Sequence, residues 1–203
     1  MFGLLLPENF NRPYLATSLR DFWRRWHISL SNFIRDYLYI PLGGSRHGEL
    51  RYVWATIMSM AICGLWHGAG WTYVVWGVWN GVGLVICRYW QRFGRPMPVL
   101  LAWFVTMLFV IVGWVIFRAV DFTSAGSILA SMVGANGLTG RLEAWRMMLV
   151  ATAIAMLIPS AHQLKERYIF PSVPLAIVVA VIAVICVLEI GKGAPTPFIY
   201  FQF

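Results

Sequence analysis

Two of the four histidines in this 203-residue chain sit where an imidazole could move a proton. His67 lies in Gly64-Leu65-Trp66-His67-Gly68-Ala69-Gly70-Trp71, between the apolar runs 52–66 and 71–87. Ionisable groups at membrane depth are rare and usually face a bundle interior or a wet cavity. Closely spaced glycines permit a helix break, and irregular backbone at that depth must be buried or line such a cavity. The plainer alternative is an interfacial turn in which His67 bonds a carbonyl. His27 lies among Arg20, Arg24, Arg25 and Arg35. An imidazole crowded by cations is disfavoured from taking a further positive charge, and a histidine held neutral is what a general base requires. His47 and His162 fall in polar loops and read as solvated. No His, Cys and carboxylate spacing suggests a metal site, and no G-x-S-x-G, P-loop or G-x-G-x-x-G is present.

The element that must carry His27 reads as one basic amphipathic helix within residues 18–44. Ser18-Leu19-Arg20-Asp21 has the form of a capping box, and Pro41 with Gly43-Gly44 would end the helix. At helical spacing Phe22, Trp26, Leu30, Phe33, Tyr37 and Ile40 share one face. Arg20, Arg24, His27, Ser31 and Arg35 fall within about an 80° arc elsewhere on the wheel. Asp21 and Arg25, at i and i+4, suggest an ion pair. Arg24, Arg25, Ser31, Arg35 and Asp36 are therefore candidates for binding a substrate or group donor, Arg24 and its neighbours being suited to an anionic one. The competing reading is an interfacial anchor, with arginines on lipid headgroups and tryptophans in an aromatic belt. Asn80, in Trp79-Asn80-Gly81, is a further candidate, although polar residues at such positions also join helices.

Composition sets the environment. Hydrophobic residues make up 60% of the chain and charged residues only 12%, with mean hydropathy +0.69. A soluble domain carries roughly twice that charge, so the chain reads as an all-α integral membrane protein. Cys63, Cys87 and Cys186 lie in apolar runs, which argues against a disulfide scaffold. The balance of 16 Lys and Arg against 8 Asp and Glu could suggest nucleic acid. The basic residues lie between apolar segments, however, as the positive-inside rule places them in cytoplasmic loops.

Residues 99–117 are uncharged throughout and exceed the roughly 18 needed for a transmembrane helix. With 52–66, 71–87, 147–158 and 173–188, the expectation is a bundle of about five spans, with the basic helix interfacial or re-entrant. Arg88, Arg92 and Arg95 make 88–98 the most basic short loop and place it in the cytoplasm. Alternation puts 12–51 on the same side and His67 across the membrane from the basic helix.

Two long stretches carry a resemblance. Asp21-Phe22-Trp23-Arg24-Arg25-Trp26-His27-Ile28-Ser29-Leu30-Ser31 with Arg35-Asp36-Tyr37-Leu38-Tyr39-Ile40-Pro41-Leu42-Gly43-Gly44 is the first. Gly64-Leu65-Trp66-His67-Gly68-Ala69-Gly70-Trp71-Thr72 is the second. Together with the C-terminal Phe198-Ile199-Tyr200-Phe201-Gln202-Phe203, they resemble the membrane-bound O-acyltransferase family, in particular its alginate O-acetyltransferase branch. The resemblance implies that His67 stands at the family's catalytic histidine and His27 at its second functional histidine. It covers the family's C-terminal half, with 18–44 as the basic motif, 52–90 flanking His67 and 99–203 as the last spans. The family's N-terminal half is expected to be absent, and residues 1–203 alone are expected to insert in a membrane without transferring acyl groups.

By the same resemblance the expected reaction moves an acetyl group from a cytoplasmic thioester, acetyl-CoA or an acyl carrier, towards hydroxyls of an alginate-like exopolysaccharide. The donor is a substrate, and no bound cofactor or metal is expected. Expected partners are membrane lipids, outer-side acetyltransferase proteins and the polysaccharide, with no nucleic acid; the expected location is the cell inner membrane, in several passes. D-alanyl transfer to teichoic acid is the nearest alternative. A transporter would also use broken helices and intramembrane polar groups, and a non-catalytic scaffold would not need His67.

Overall fold

The computed structural model describes residues 7–135, 137, 142–168 and 172–192. Every regular element among them is helical: α1 (Leu19–Arg25), α2 (Ile28–Ile34), α3 (Glu49–Trp66), α4 (Trp71–Arg92), α5 (Val99–Arg118), α6 (Phe122–Met132), α7 (Leu142–Leu157), α8 (Ala161–Tyr168) and α9 (Val173–Lys192). A short turn at Pro13–Leu15 precedes α1, and a wide π-helical turn, Arg35–Tyr39, follows α2. The elements through Ile158 form one compact unit, and α8 with α9 belong to a second. The resemblance-based C-terminal Phe198–Phe203 lies outside the described residues.

The centre of the first unit is the antiparallel hairpin of α3 and α4. Glycines let the two backbones approach closely: a Cβ on Gly64 would strike the Tyr73 carbonyl, and one on Gly77 the Met60 carbonyl. Small residues at such crossings allow dense helix packing in place of a large hydrophobic driving force. At the open end of the hairpin, Glu49 accepts from Arg92 at 2.7 Å and from the Tyr89 hydroxyl at 3.1 Å. Arg88 lies over the Tyr52 ring at 3.7 Å. The hydrogen bond from Arg92, chief among these contacts, holds the Glu49 carboxyl below its ordinary range. The Trp66–Trp71 turn, with His67, therefore lies at the opposite end from the basic 88–98 segment.

α5 packs along α4. Trp79 stacks on Phe109 at 4.5 Å and donates to the Phe109 carbonyl at 3.2 Å. α1 also packs against α4, where the Trp23 indole donates to Asn80 Oδ1 at 3.2 Å. The core joins Phe22, Trp23, Met60, Cys63, Trp76, Met107 and Val110.

Among the described residues two helices are long and apolar enough to cross a membrane, α5 and Val173–Ile190 of α9. A third is added if Trp145–Leu157 and Ala161–Arg167 make one broken span. By length and apolarity the described residues thus supply two or three spans of the expected five or so. Glu49 and Arg51 open α3, and α4 contains Asn80, the glycines Gly77, Gly81 and Gly83, and a basic end at Arg88 and Arg92, so apolar length alone does not qualify either helix.

Candidate active site

His67 closes α3. Its amide donates to the Gly64 carbonyl at 3.0 Å, and the chain turns through Gly68 and Gly70 into α4. Three rings meet the imidazole edge to face: Trp66 at 4.9 Å, Trp76 at 5.5 Å and Phe117 at 5.2 Å between centroids. Phe117 comes from the far end of α5 and also packs on Trp76 and Tyr73, both at 5.0 Å. Gly68 makes room for this arrangement, since a Cβ there would press on the Tyr73 ring. The half-buried imidazole thus sits among aromatic edges. Burial first, and then the neighbouring His27, hold His67 below the ordinary histidine value.

His27 is brought to the same place by a break that helical periodicity could not show. The expected single helix ends at Arg25; Trp26 is extended, His27 is left-handed at φ 44°, ψ 57°, and α2 begins at Ile28. The shared faces read from one continuous wheel therefore do not persist across residue 26. The cause is a pairing with a distant segment. The Asn11 amide donates to the Arg25 carbonyl at 2.9 Å, and the Ile28 amide to the Asn9 carbonyl at 3.0 Å, around a Phe10–Trp26 bridge. Trp26 then packs among Phe10 at 4.9 Å, Phe22 at 5.7 Å and Trp114 at 5.7 Å. Trp26 meets Trp114 and His67 meets Phe117, one turn apart on α5, so the expected placement of His27 across the membrane from His67 is corrected: the two histidine segments lie together. His27 Nδ1 is buried and has no hydrogen-bond partner, and the Phe10 ring lies 6.0 Å away.

The other candidates divide by role. Ser18 accepts from the Asp21 amide at 3.1 Å, and Arg25 pairs with Asp21 at 2.9 Å. Arg24 is exposed. Ser31 donates to the Trp26 carbonyl at 3.2 Å, bracing the break. Arg35 and Asp36 are exposed and pair with each other at 2.7 Å; that hydrogen bond lowers the Asp36 pKa. Asn80 is buried, accepting from Trp23 and donating to the Trp76 carbonyl at 2.8 Å. Its amide joins α1 to α4 directly behind the tryptophan that touches His67.

Sequence reasoning passed over Asn9, Trp76, Trp114 and Phe117. Each contributes through a partner far away in the chain, and no local spacing marks such a contact. A groove of about 880 Å³ lies between α1, α4 and α5, lined by Ser18, Gly83, Arg95 and Phe109 among others, and neither histidine lines it. Among the described residues no cluster of three His, Cys, Asp or Glu could hold a metal.

Comparison with known proteins adds an independent line. The model of the membrane-bound O-acyltransferase (MBOAT) family matches residues 1–129, which include both histidines. The peptidoglycan O-acetyltransferase of Helicobacter pylori is 47% identical over 142 residues, covering 68% of this chain and 27% of that protein. The probable alginate O-acetylase AlgI of Azotobacter vinelandii is 38% identical over 176 residues, 84% of this chain and 35% of that protein. The teichoic acid D-alanyltransferase of Streptococcus thermophilus is 33% identical over 99 residues, 45% of this chain and 24% of that protein. The matches thus span about a quarter to a third of these relatives' lengths.

Proposed function

Since the chain belongs to the membrane-bound O-acyltransferase family, we propose that it carries the histidine-bearing part of an O-acetyltransferase acting on an alginate-like exopolysaccharide at the cell inner membrane. The observation that supports this most is the His67 imidazole, caged by Trp66, Trp76 and Phe117 and within electrostatic reach of His27. A base must be neutral to accept a proton, and both burial and a second imidazole favour that state.

In the proposed reaction an acceptor hydroxyl oxygen attacks the thioester carbonyl carbon while His67 takes the hydroxyl proton. The tetrahedral centre collapses, the carbon–sulfur bond breaks, and the proton returns to the departing thiolate. Acetyl ester and free thiol are the products. His27 orients donor or acceptor beside His67. Arg24, exposed at the end of α1, attracts an anionic donor such as a CoA phosphate or a carrier phosphopantetheine. Arg25 and Arg35 serve that field while paired with Asp21 and Asp36. Outer-side partner proteins would complete delivery to the polymer.

The 47% identity to a peptidoglycan O-acetyltransferase favours peptidoglycan as the rival acceptor. The test is a chimera in which this chain replaces the matching segment of the Azotobacter alginate O-acetylase. It is produced in cells lacking exopolysaccharide acetylation, and ester-linked acetate is measured on polysaccharide and on peptidoglycan. Acetate on the exopolysaccharide, lost in His67→Ala at equal protein level, is the expected result. Acetate on peptidoglycan alone would assign the rival acceptor, and acetylation unaffected by His67→Ala would remove the base. The 203 residues by themselves are expected to give no transfer, in keeping with the partial exposure of both histidines.

A further inference from the structure

We propose that Asn9 is a positioning residue for His27: it caps α2 from outside the helix and thereby leaves the His27 imidazole free for the site. This rests on the reading of His27 as a functional histidine given above.

The first amides of a helix have no partners within it. Ordinarily a Ser, Thr, Asp or Asn at the N-cap accepts from the second or third of them. In α2 the N-cap is His27, whose side chain makes no such bond. Asn9 does the work instead. Its carbonyl accepts from the Ile28 amide at 3.0 Å, and its Oδ1 accepts from the Ser29 amide at 3.0 Å and the Ser29 hydroxyl at 2.6 Å. One residue from another segment therefore satisfies the first two amides of α2. A histidine capping its own helix would tie up a ring nitrogen; here Nδ1 carries no hydrogen bond.

Asn9 also holds the backbone that aims the ring. The left-handed conformation of His27 is disfavoured for any residue with a Cβ and persists only where surroundings enforce it. Asn9 grips the chain just after His27, and the Asn11 amide grips it before, at the Arg25 carbonyl. The imidazole is left beside Phe10, the residue between these two grips. Loss of the side-chain acceptor frees two donors of Ser29 at once, so α2 can fray from its first turn and His27 can leave the left-handed region.

The test is chemical labelling of the whole chain in lipid nanodiscs with diethyl pyrocarbonate, reading the rate at each histidine by mass spectrometry. Asn9→Ala should raise the His27 rate roughly five- to tenfold, as expected for losing a hydrogen-bonded hold, and leave His162 unchanged. Asn9→Asp keeps the acceptor and should return the rate near that of the unmodified chain. Ser29→Ala keeps the amide donor and should fall between. An unchanged His27 rate in Asn9→Ala, an equal rise at His162, or failure of Asn9→Asp to restore the rate would each overturn the proposal. If Asn9→Ala does not accumulate, Asn9→Ser, with a hydroxyl too short to reach both Ser29 donors, is judged by the same outcomes. The labelling needs no acyl transfer, so failure of this clamp and failure of the proposed reaction are read separately.

Discussion

At the scale of single residues, what matters is which charge state each histidine and arginine can hold. His67 has its pKa lowered by burial and by His27, so the folded chain binds its proton less readily than the unfolded chain does. The sign follows: acidification through the ordinary histidine value favours the unfolded state, and stability falls as pH drops below about 6.5. Thermal unfolding in detergent between pH 7.5 and 5.5 should show this loss, and His67→Gln should flatten it. In the chimera, His67→Ala should lower acetyl transfer by about 10²–10⁴, the range of a lost general base, without lowering protein abundance. The arginines differ from each other. Arg25→Ala breaks a partly exposed pair with Asp21 and should cost less than about 1 kcal/mol. Arg24→Ala breaks no ion pair among the described residues and should raise the donor concentration needed for half-maximal transfer while leaving the melting temperature in place.

At the scale of elements, the α3–α4 hairpin carries His67, and its fit depends on absent side chains as much as on present ones. Gly77→Ala places a methyl against the Met60 carbonyl, a backbone atom that cannot swing aside. Such overpacking should cost about 1–3 kcal/mol, seen as a lower melting temperature and lower yield in the membrane fraction. Asn80→Leu tests the neighbouring joint between α1 and α4. It strands the Trp23 indole N–H in a buried setting and should cost about 1–3 kcal/mol. The double variant with Trp23→Phe should recover part of that loss, because the stranded donor is then gone. Full additivity of the two substitutions would show that the Asn80–Trp23 bond does not couple the helices.

At the scale of the whole molecule, apolar surface and charge decide where the chain resides. α5 leaves Leu100, Phe104 and Leu108 exposed, and α9 leaves Ile177, Val181 and Ile185 exposed, as helices facing lipid do. The chain should stay in the membrane pellet through an alkaline carbonate wash. The Glu49 cluster ties the start of α3 to the end of α4, so both should lie on the face that carries Arg88, Arg92 and Arg95. In intact cells a cysteine at position 95, in a chain whose native cysteines are replaced, should resist a membrane-impermeant maleimide and react only after lysis. Labelling before lysis would reverse the orientation.

The membrane class, the helical elements and the two histidine motifs were legible in the sequence because each is a local property. Composition, uninterrupted apolar length and turn chemistry act within a few residues of where they are written. The Ser18 cap and the Asp21–Arg25 pair follow from the same short range. The break at Trp26–His27 did not, since one continuous periodic pattern runs across it and the Asn9–Asn11 segment that opens it pairs from elsewhere in the chain. Nor did the cage around His67, where Phe117 arrives from the end of another helix. Only the tertiary structure could turn two separate motifs into neighbours, because through-space packing, and not spacing along the chain, sets which imidazole meets which ring.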